Sequence, residues 1–200
     1  MYEKTADIES LAEEVLADEG LLSEVLNGLK NKNETIRYNC HKVLMEISWE
    51  HGEVLYPQWD YFVEMLDSGN TYHKLSAVEL LASLTRVDKE NKFDEIFDKF
   101  YGLLGDKGTI LTAYVAANSG KIAEAKSHLR ERITERLLEI DRVYRGKQVE
   151  LIKGSIIEAF DEFYEESESK ERIKKFVGSQ LYSGSPKTRK LSIAFMDKWK

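Results

Sequence analysis

The sequence predicts an all-α protein, a right-handed α-α superhelix (solenoid) of about five helical hairpins preceded by an N-terminal capping helix. The main observation is a repeat of 37 to 39 residues that runs from about Leu21 to the C-terminus. Two apolar series step together through it: Val25, Phe62, Phe100, Leu138 and Val177, and Leu44, Leu81, Ser119, Ile157 and Met196. A period near 40 with two helical segments per unit is typical of stacked helical repeats. A content of only two prolines also agrees with long helices.

The first segment, residues 1–20, is expected to be a capping helix that stands outside the repeat. Its helix is predicted from Thr5 to Asp18, with Asp7 as the N-cap and Gly20 as the residue that ends it. One stripe of this helix is apolar and consists of Ile8, Leu11, Val15 and Leu16. Such a helix covers the open apolar face that the first unit of a solenoid would otherwise expose.

Five hairpins are then expected in one domain, at about residues 21–56, 57–91, 92–128, 129–167 and 168–200. A turn rich in Gly, Asn or Ser separates the two helices of each hairpin. The second helices are predicted at residues 35–49, 72–85, 109–125, 149–164 and 187–199. Pro57 suits the first helical turn of the second unit, and Ser185-Pro186 form an N-cap followed by proline at the first helical position.

Three of the second helices share an apolar–basic–x–x–small–x–x–apolar–apolar pattern. It is carried by Ile36-Arg37, Cys40 and Val43-Leu44, by His73-Lys74, Ala77 and Leu80-Leu81, and by Thr188-Arg189, Ser192 and Phe195-Met196. The pattern resembles the second helix of the HEAT-repeat and armadillo-like superfamily, and the resemblance covers roughly residues 21–200. That superfamily includes scaffolds, transport receptors, regulatory subunits and a few enzymes, so the resemblance implies a fold and leaves the function open.

The third and fourth units depart from this pattern. The third has Thr112 at the basic position, and Asn118 and Ser119 where the other units place an apolar pair. The fourth has Glu150 and Lys153 at the basic and small positions. Each lost apolar side chain forfeits about 1.5–3 kcal/mol of burial. We therefore expect the stack to bend at the third unit, or another segment to fill the gap.

Composition points to a cytoplasmic protein. No apolar run reaches the roughly 18–20 residues that a membrane-spanning helix needs, and the N-terminal residues resemble no signal peptide. Cys40 is the single cysteine, which excludes an intrachain disulfide and a multi-cysteine zinc site.

The net charge of −7 is unevenly distributed along the chain. Residues 1–100 hold 10 basic and 21 acidic side chains, whereas residues 170–200 hold 9 and 2, giving −11 and +7 respectively. The negative net charge of the whole chain disfavours general nucleic-acid binding, because neutralising the phosphates needs a basic surface. The basic C-terminal segment leaves a local contact with an anionic partner open.

We find no constellation that would indicate catalysis, a metal or a cofactor. None of His41, His51, His73 and His128 has the spacing of a helical metal site. His73 occupies an apolar position and is expected to be packed and hydrogen-bonded, and Cys40 is expected to be an inert core thiol. Gly105–Gly108 lacks the spacing of a phosphate-binding loop. The acidic run from Glu158 to Glu168 is expected to be a solvated helix face.

The candidate partner site comes from projecting the second helices. With their apolar positions turned inward, their opposite faces line the concave surface of the predicted superhelix. The residues expected to bind a partner there are Tyr38, Lys42, Met45, Trp49, Leu75, Arg86 and Leu151. Exposed aromatics beside small residues suit a peptide or a partner helix. The alternative is that tight curvature or a neighbouring loop buries this row.

The function that follows is a non-catalytic interaction module or small scaffold that binds a protein or peptide on its concave face. One alternative is a nucleic-acid-acting protein resembling the HEAT-like DNA alkylation repair glycosylases, which the aromatic Trp49 and the basic Arg86 suggest faintly. Another is a regulatory subunit of a larger enzyme. Because Lys200 follows directly on the last core position, Trp199, we expect the fifth unit to be covered by a second copy, by an acidic partner or by its own basic side chains.

Overall fold

The computed structural model describes residues 7–200, which form α-helices joined by turns and short 3-10 helices. This part of the chain contains no β-strand, so the predicted all-α class is confirmed. The contacts divide the chain into two compact units, Met1–Lys92 and Phe93–Lys200. Thr5 and Ala6, which belong to the predicted first helix, lie outside the described residues.

The first unit contains six α-helices among its described residues. They are α1 (Ile8–Ala17), α2 (Glu19–Gly28), α3 (Glu34–Glu50), α4 (Gly52–Leu55), α5 (Trp59–Met65) and α6 (Thr71–Leu84). Asn33 and Asn70 cap α3 and α6 by accepting hydrogen bonds from backbone N–H groups of the first turn. Pro57 lies in a 3-10 helix, Tyr56–Gln58, just before α5.

The junction of α1 and α2 differs from the sequence prediction. Asp7 caps α1 as expected, with its side chain accepting from Ser10 N at 3.3 Å. Gly20, however, does not end α1 but lies in the first turn of α2. The reason is Asp18, whose Oδ1 accepts from Gly20 N at 2.7 Å and so starts a new helix at Glu19. The helix α1 packs against both α2 and α3.

The core of the first unit lies between α3 and its neighbours α1, α2 and α6. On α3 the inward side consists of Val43, Leu44 and Ile47, all almost fully buried. On α6 every residue from Ser76 to Thr85 except Glu79 is buried. Ser48 Oγ and Ser83 Oγ form a buried hydrogen bond of 2.9 Å, which links α3 to α6 inside this apolar layer.

The second unit contains the remaining α-helices, of which the first begins at the last residue of the first unit. They are α7 (Lys92–Gly102), α8 (Thr109–Ala125), α9 (Arg130–Leu138), α10 (Ile140–Val143), α11 (Val149–Phe163), α12 (Lys170–Ser179) and α13 (Pro186–Lys198). Ser185 caps α13, and Pro186 is its first residue, as the sequence predicts. The most extensive helix packing in this unit is that of α8 against α11, and α11 also packs against α13.

The small residues of α8 are buried together with a large side chain from α7. Ser119 is fully buried and donates to Val115 O at 2.8 Å, and Asn118 Nδ2 donates to Tyr114 O at 2.9 Å. Tyr101, from α7, is buried beside the Ser119 hydroxyl. The side chains of Asn118 and Ser119 are therefore hydrogen-bonded within their own helix, and the Tyr101 hydroxyl lies beside that of Ser119.

Candidate functional site

Four of the predicted site residues form one stripe along α3. Tyr38, Lys42, Met45 and Trp49 are spaced i, i+4, i+7 and i+11, and they point away from the buried side of the helix. Tyr38 is 59% exposed and Trp49 is 41% exposed, while Met45 between them is half-buried. At 1.5 Å per residue the stripe extends about 16 Å along the helix axis.

Arg86, at the end of α6, is in direct contact with this stripe. Its guanidinium carbon lies 4.3 Å from the centre of the Trp49 ring, and its Nη2 donates to the Trp49 carbonyl oxygen at 2.7 Å. Leu75 is a half-buried residue within α6, whereas Arg86 lies two residues beyond Leu84, the last residue of that helix. We call the surface formed by Tyr38, Lys42, Met45, Trp49, Leu75 and Arg86 the α3–α6 face.

Two further pairs join α3 to α6 beside this face. His41 Nε2 lies 2.9 Å from Glu79 Oε2. The Arg37 guanidinium lies 4.5 Å from the centre of the Tyr72 ring and donates to Asn31 O at 3.0 Å. The sequence reasoning missed these pairs. A search for complementary side chains one repeat apart would have found them, since their members are 35 and 38 residues apart.

Leu151, the seventh predicted residue, is exposed on α11 and belongs to the second unit. The residues that correspond to Met45 one and two repeats later, Ala82 and Gly120, are buried instead. Ala82 is fully enclosed in the first unit, and Gly120 is buried beneath a side chain of α11.

That side chain is Glu162, whose carboxylate lies directly over Gly120. A Cβ at position 120 would overlap the carboxylate oxygen and would lie 3.0 Å from Glu162 Cβ. Burial of the carboxyl group, reinforced by the negative charge of Glu124, raises the pKa of Glu162 to about 7, against the opposing effect of Lys121. Although the residue as a whole is exposed, the surroundings of its carboxyl group therefore disfavour the charged form.

The groove between α1 and α3 is lined by carboxylates. Glu9 and Glu13 from α1 face Glu46 and Glu50 from α3 across a cavity of about 210 Å³. Its apolar floor includes Ala12 and Ile47. This groove accounts for part of the acidic character that the sequence places in the first half of the chain.

Cys40 and His73 are packed as the sequence predicts. Cys40 is half-buried against α2, where a Cβ at Gly28 would overlap its Sγ, and burial raises the pKa of the Cys40 thiol. His73 Nδ1 lies 3.0 Å from Ser68 Oγ, and burial lowers the pKa of His73, aided by the charges of Lys30 and Arg37. Both groups therefore favour their uncharged forms.

The last hairpin buries one of its four aromatic residues within the second unit and half-buries two more. Phe195 is buried, and the half-buried Trp199 donates from Nε1 to Asp161 Oδ1 at 2.6 Å while its ring packs on Tyr164. Tyr182, which is 92% exposed, and Ile193 are the large apolar side chains that this hairpin exposes. Association of two copies through this hairpin stays a prediction.

In residues 7–200, no three or more His, Cys, Asp or Glu side chains are grouped so that they could hold a metal ion. Nor does any helix in this range combine the length and the apolar character required to cross a bilayer.

Comparison of the chain with protein-family models, with curated proteins and with solved structures found no match. The HEAT-like assignment therefore rests on the repeat pattern and stays a prediction.

Proposed function

We propose that this chain is a HEAT-like helical-repeat protein, a right-handed α-α superhelix, that binds a protein or peptide partner through the α3–α6 face. The observation that carries the proposal is the pair of exposed aromatic side chains, Tyr38 and Trp49, on one stripe of α3 with Arg86 stacked on the indole. No catalytic step is part of the proposal.

The repeat architecture is supported by the packing within each unit. In the first unit, α3 lies beside α6, one repeat further along the chain. In the second unit, α11 lies between α8 and α13, which are its neighbours in the repeat. Side-by-side packing of successive second helices is what stacked hairpins require.

The α3–α6 face has the composition of a binding surface. Tyr and Trp are enriched among the residues that dominate interface energies, often at about 2 kcal/mol or more each. The i, i+4, i+7, i+11 spacing of the α3 stripe matches the way in which an amphipathic helix packs on a helical surface. Lys42 and Arg86 add positive charge beside the aromatic rings, so the best partner carries carboxylates next to its apolar residues.

The indole of Trp49 is held in place before any partner arrives. The guanidinium of Arg86 stacks on the ring and is itself tied to the Trp49 carbonyl oxygen. Restricting a side chain in this way lowers the entropy that binding must otherwise remove, about 0.5–1.5 kcal/mol for each immobilised side chain.

The test uses a photo-cross-linking amino acid in place of Lys42, in the full-length protein and in extract from the native host. The partner identified in this way is then purified, and its affinity is measured for the wild type and for Tyr38→Ala/Trp49→Ala. We expect the double variant to bind at least tenfold more weakly with an unchanged helical circular dichroism spectrum. Tyr182→Ala, which removes an exposed aromatic elsewhere, is the matched control and should bind normally.

A salt-dependent DNA-binding assay separates the nucleic-acid alternative. Tight binding of duplex DNA at physiological salt, with a steep loss as salt rises and a further loss in Arg86→Ala, would replace the protein-binding proposal. If the cross-linked partner is itself an enzyme whose activity changes on binding, the chain is a regulatory subunit.

A further inference from the structure

The surface of α9 carries a cleft of about 560 Å³ that is lined by four arginines. Arg132 and Arg136 come from α9, Arg142 from α10 and Arg172 from α12. The remaining lining residues are Phe97, Glu135, Leu138 and Glu139. All of these residues belong to the second unit. We call this site the arginine cleft.

Two of the guanidinium groups converge on a single carboxylate oxygen. Arg136 Nη2 is hydrogen-bonded to Asp98 Oδ1, and Arg132 Nη2 lies 3.9 Å from the same atom. Arg132 is also stacked on the ring of Phe97, with its guanidinium carbon 4.0 Å from the ring centre. The stacking fixes the plane of the Arg132 guanidinium, so this group stays close to the oxygen that Arg136 binds.

The carboxylates around the cleft are too few and too distant to satisfy the arginines. Arg142 is paired with Glu139 at 3.1 Å, whereas Arg172 reaches Glu135 only at 3.9 Å, beyond hydrogen-bond distance. Asp98 is hydrogen-bonded to Arg136, while Arg132 lies at the same long distance of 3.9 Å from it, and the Asp98 side chain is 71% exposed. Four positive groups thus lie near three carboxylates, and Asp98, the carboxylate next to two of them, is largely exposed to solvent.

We propose that the arginine cleft binds a phosphate monoester, with a phosphate oxygen in the position that Asp98 Oδ1 occupies. Arginine forks match the geometry of phosphate oxygens and bind them with charge-assisted hydrogen bonds. An occupant has to displace a carboxylate that is tethered to the chain. The phosphate dianion carries more charge and one more acceptor oxygen than a carboxylate, so it is the oxyanion that succeeds.

The apolar residues of the cleft indicate which kind of chemical group is attached to the phosphate. Leu138, which is half-buried, lines the cleft beside the arginines, and the buried ring of Phe97 lies under Arg132. A phosphate ester with an apolar group next to the ester oxygen therefore fits better than inorganic phosphate. Because this site lies in the second unit and shares no residue with the α3–α6 face, it goes beyond the proposed function, and either can fail without the other.

The first test titrates phenyl phosphate, inorganic phosphate and acetate into the full-length protein, followed by calorimetry and by NMR of the arginine side chains. We expect saturable binding of phenyl phosphate, weaker binding of inorganic phosphate, and no competition by acetate at equal concentration. Binding should weaken below about pH 6, where the phosphate loses its second charge. Absence of saturation by about 10 mM phenyl phosphate, or equal competition by acetate, would overturn the proposal.

The second test assigns the binding to the cleft. Arg132→Gln/Arg136→Gln should weaken phenyl phosphate binding at least tenfold, whereas Arg145→Gln, an exposed arginine outside the cleft, should leave it within twofold. Equal losses in the two variants would mean unspecific attraction and would refute the site. A phosphoserine peptide then distinguishes the sources, because binding much tighter than that of phenyl phosphate assigns the site to a phosphorylated protein.

A third variant keeps the proposal testable if the arginine double variant fails to fold. Asp98→Asn removes the internal carboxylate and should tighten phenyl phosphate binding severalfold. Glu95→Gln, one turn earlier on α7, removes the same charge from an exposed position without touching the arginines. If both variants tighten binding equally, the effect is one of general charge, and Asp98 does not occupy the phosphate position.

Discussion

Two pairs of neighbouring helices, α3–α6 and α8–α11, occupy equivalent positions in the repeat and present opposite surfaces. The positions held by Tyr38 and Trp49 in the first pair are held by Ala113 and Glu124 in the second. The first pair therefore exposes aromatic rings. In the second pair the outward side of α8 carries small residues such as Ala113 and Gly120. The Glu162 side chain of α11 lies over Gly120.

The contacts between the helices differ in the same way. Side chains connect α3 to α6, through the Ser48–Ser83 hydrogen bond and the His41–Glu79 pair. In α8–α11 the absence of a side chain at Gly120 leaves the space that Glu162 fills. The repeat period thus determines which side of each helix faces inward, while side-chain volume at a few positions decides what the outward side can bind.

Charge separates the two units as well. Residues 1–92 carry 9 basic and 18 acidic side chains, a net charge of −9, and residues 93–200 carry 20 and 18, a net charge of +2. This difference in charge is evident at two surfaces. The groove between α1 and α3 is lined by glutamates, and the cleft of α9 is lined by arginines. The partner proposed for the α3–α6 face is a protein or peptide, whereas the ligand proposed for the arginine cleft is a phosphate monoester.

A side chain added at Gly120 tests directly whether α8 and Glu162 of α11 are in close contact, and it should change stability more than the substitutions that follow. Gly120→Leu should destabilise the second unit by about 1–3 kcal/mol, because the added Cβ would lie 3.0 Å from Glu162 Cβ, which cannot swing aside as the flexible carboxylate can. Denaturant unfolding followed by circular dichroism measures the change. In Gly120→Leu/Glu162→Ala the obstructing side chain is gone, and part of the loss should be recovered. A Gly120→Leu protein as stable as the wild type would show that α8 and α11 are not in close contact there.

The buried serine pair should give the next largest effect, in the first unit. Ser83→Ala leaves the Ser48 hydroxyl without one of its two partners and should lower the free energy of unfolding by about 1 kcal/mol. Ser48→Ala should cost a similar amount, and the double variant less than the sum of the two. Strict additivity, measured in the same unfolding experiment, would mean that the two hydroxyl groups do not stabilise each other.

Much of the local structure was predictable from sequence because it depends on periodicity and caps. The predicted second helix at residues 109–125 coincides with α8, and that at 35–49 differs from α3 by one residue at each end. Gly20 was misjudged because Asp18 is a strong N-cap, and a cap two residues before a glycine starts a helix rather than letting it end.

The candidate site was predictable only in part. The exposure of Tyr38, Trp49 and Arg86 follows from the helical projection, and their positions agree with it. The arginine cleft was missed because its residues lie on α9, α10 and α12, and a projection of single helices cannot combine side chains from three of them. The position of Glu162 over Gly120 depends on helix packing, which periodicity alone does not specify.

The smallest expected effect concerns the pH dependence of the second unit. The pKa of Glu162 is raised from 4.5 to about 7 in the folded chain. Between these values the folded state binds more protons than the unfolded state, so the contribution of Glu162 to stability falls as pH rises from about 4.5 to 7. Because the residue is exposed, we expect this contribution to stay below about 1 kcal/mol.

Glu162→Gln should therefore be more stable than the wild type at pH 8 and equally stable at pH 4. The negative charges of Glu158 and Asp161 raise the pKa of Glu162 in the same direction as burial does, whereas Lys121 opposes them. Carbon-13 NMR of the Glu162 carboxyl group should show a titration near pH 7 directly. Glu165→Gln, an exposed glutamate in the next turn, measures the general effect of removing one negative charge. An equal gain in that control, or a titration of Glu162 near pH 4.5, would show that its carboxyl group is fully solvated, and that the two helix pairs differ less than their packing indicates.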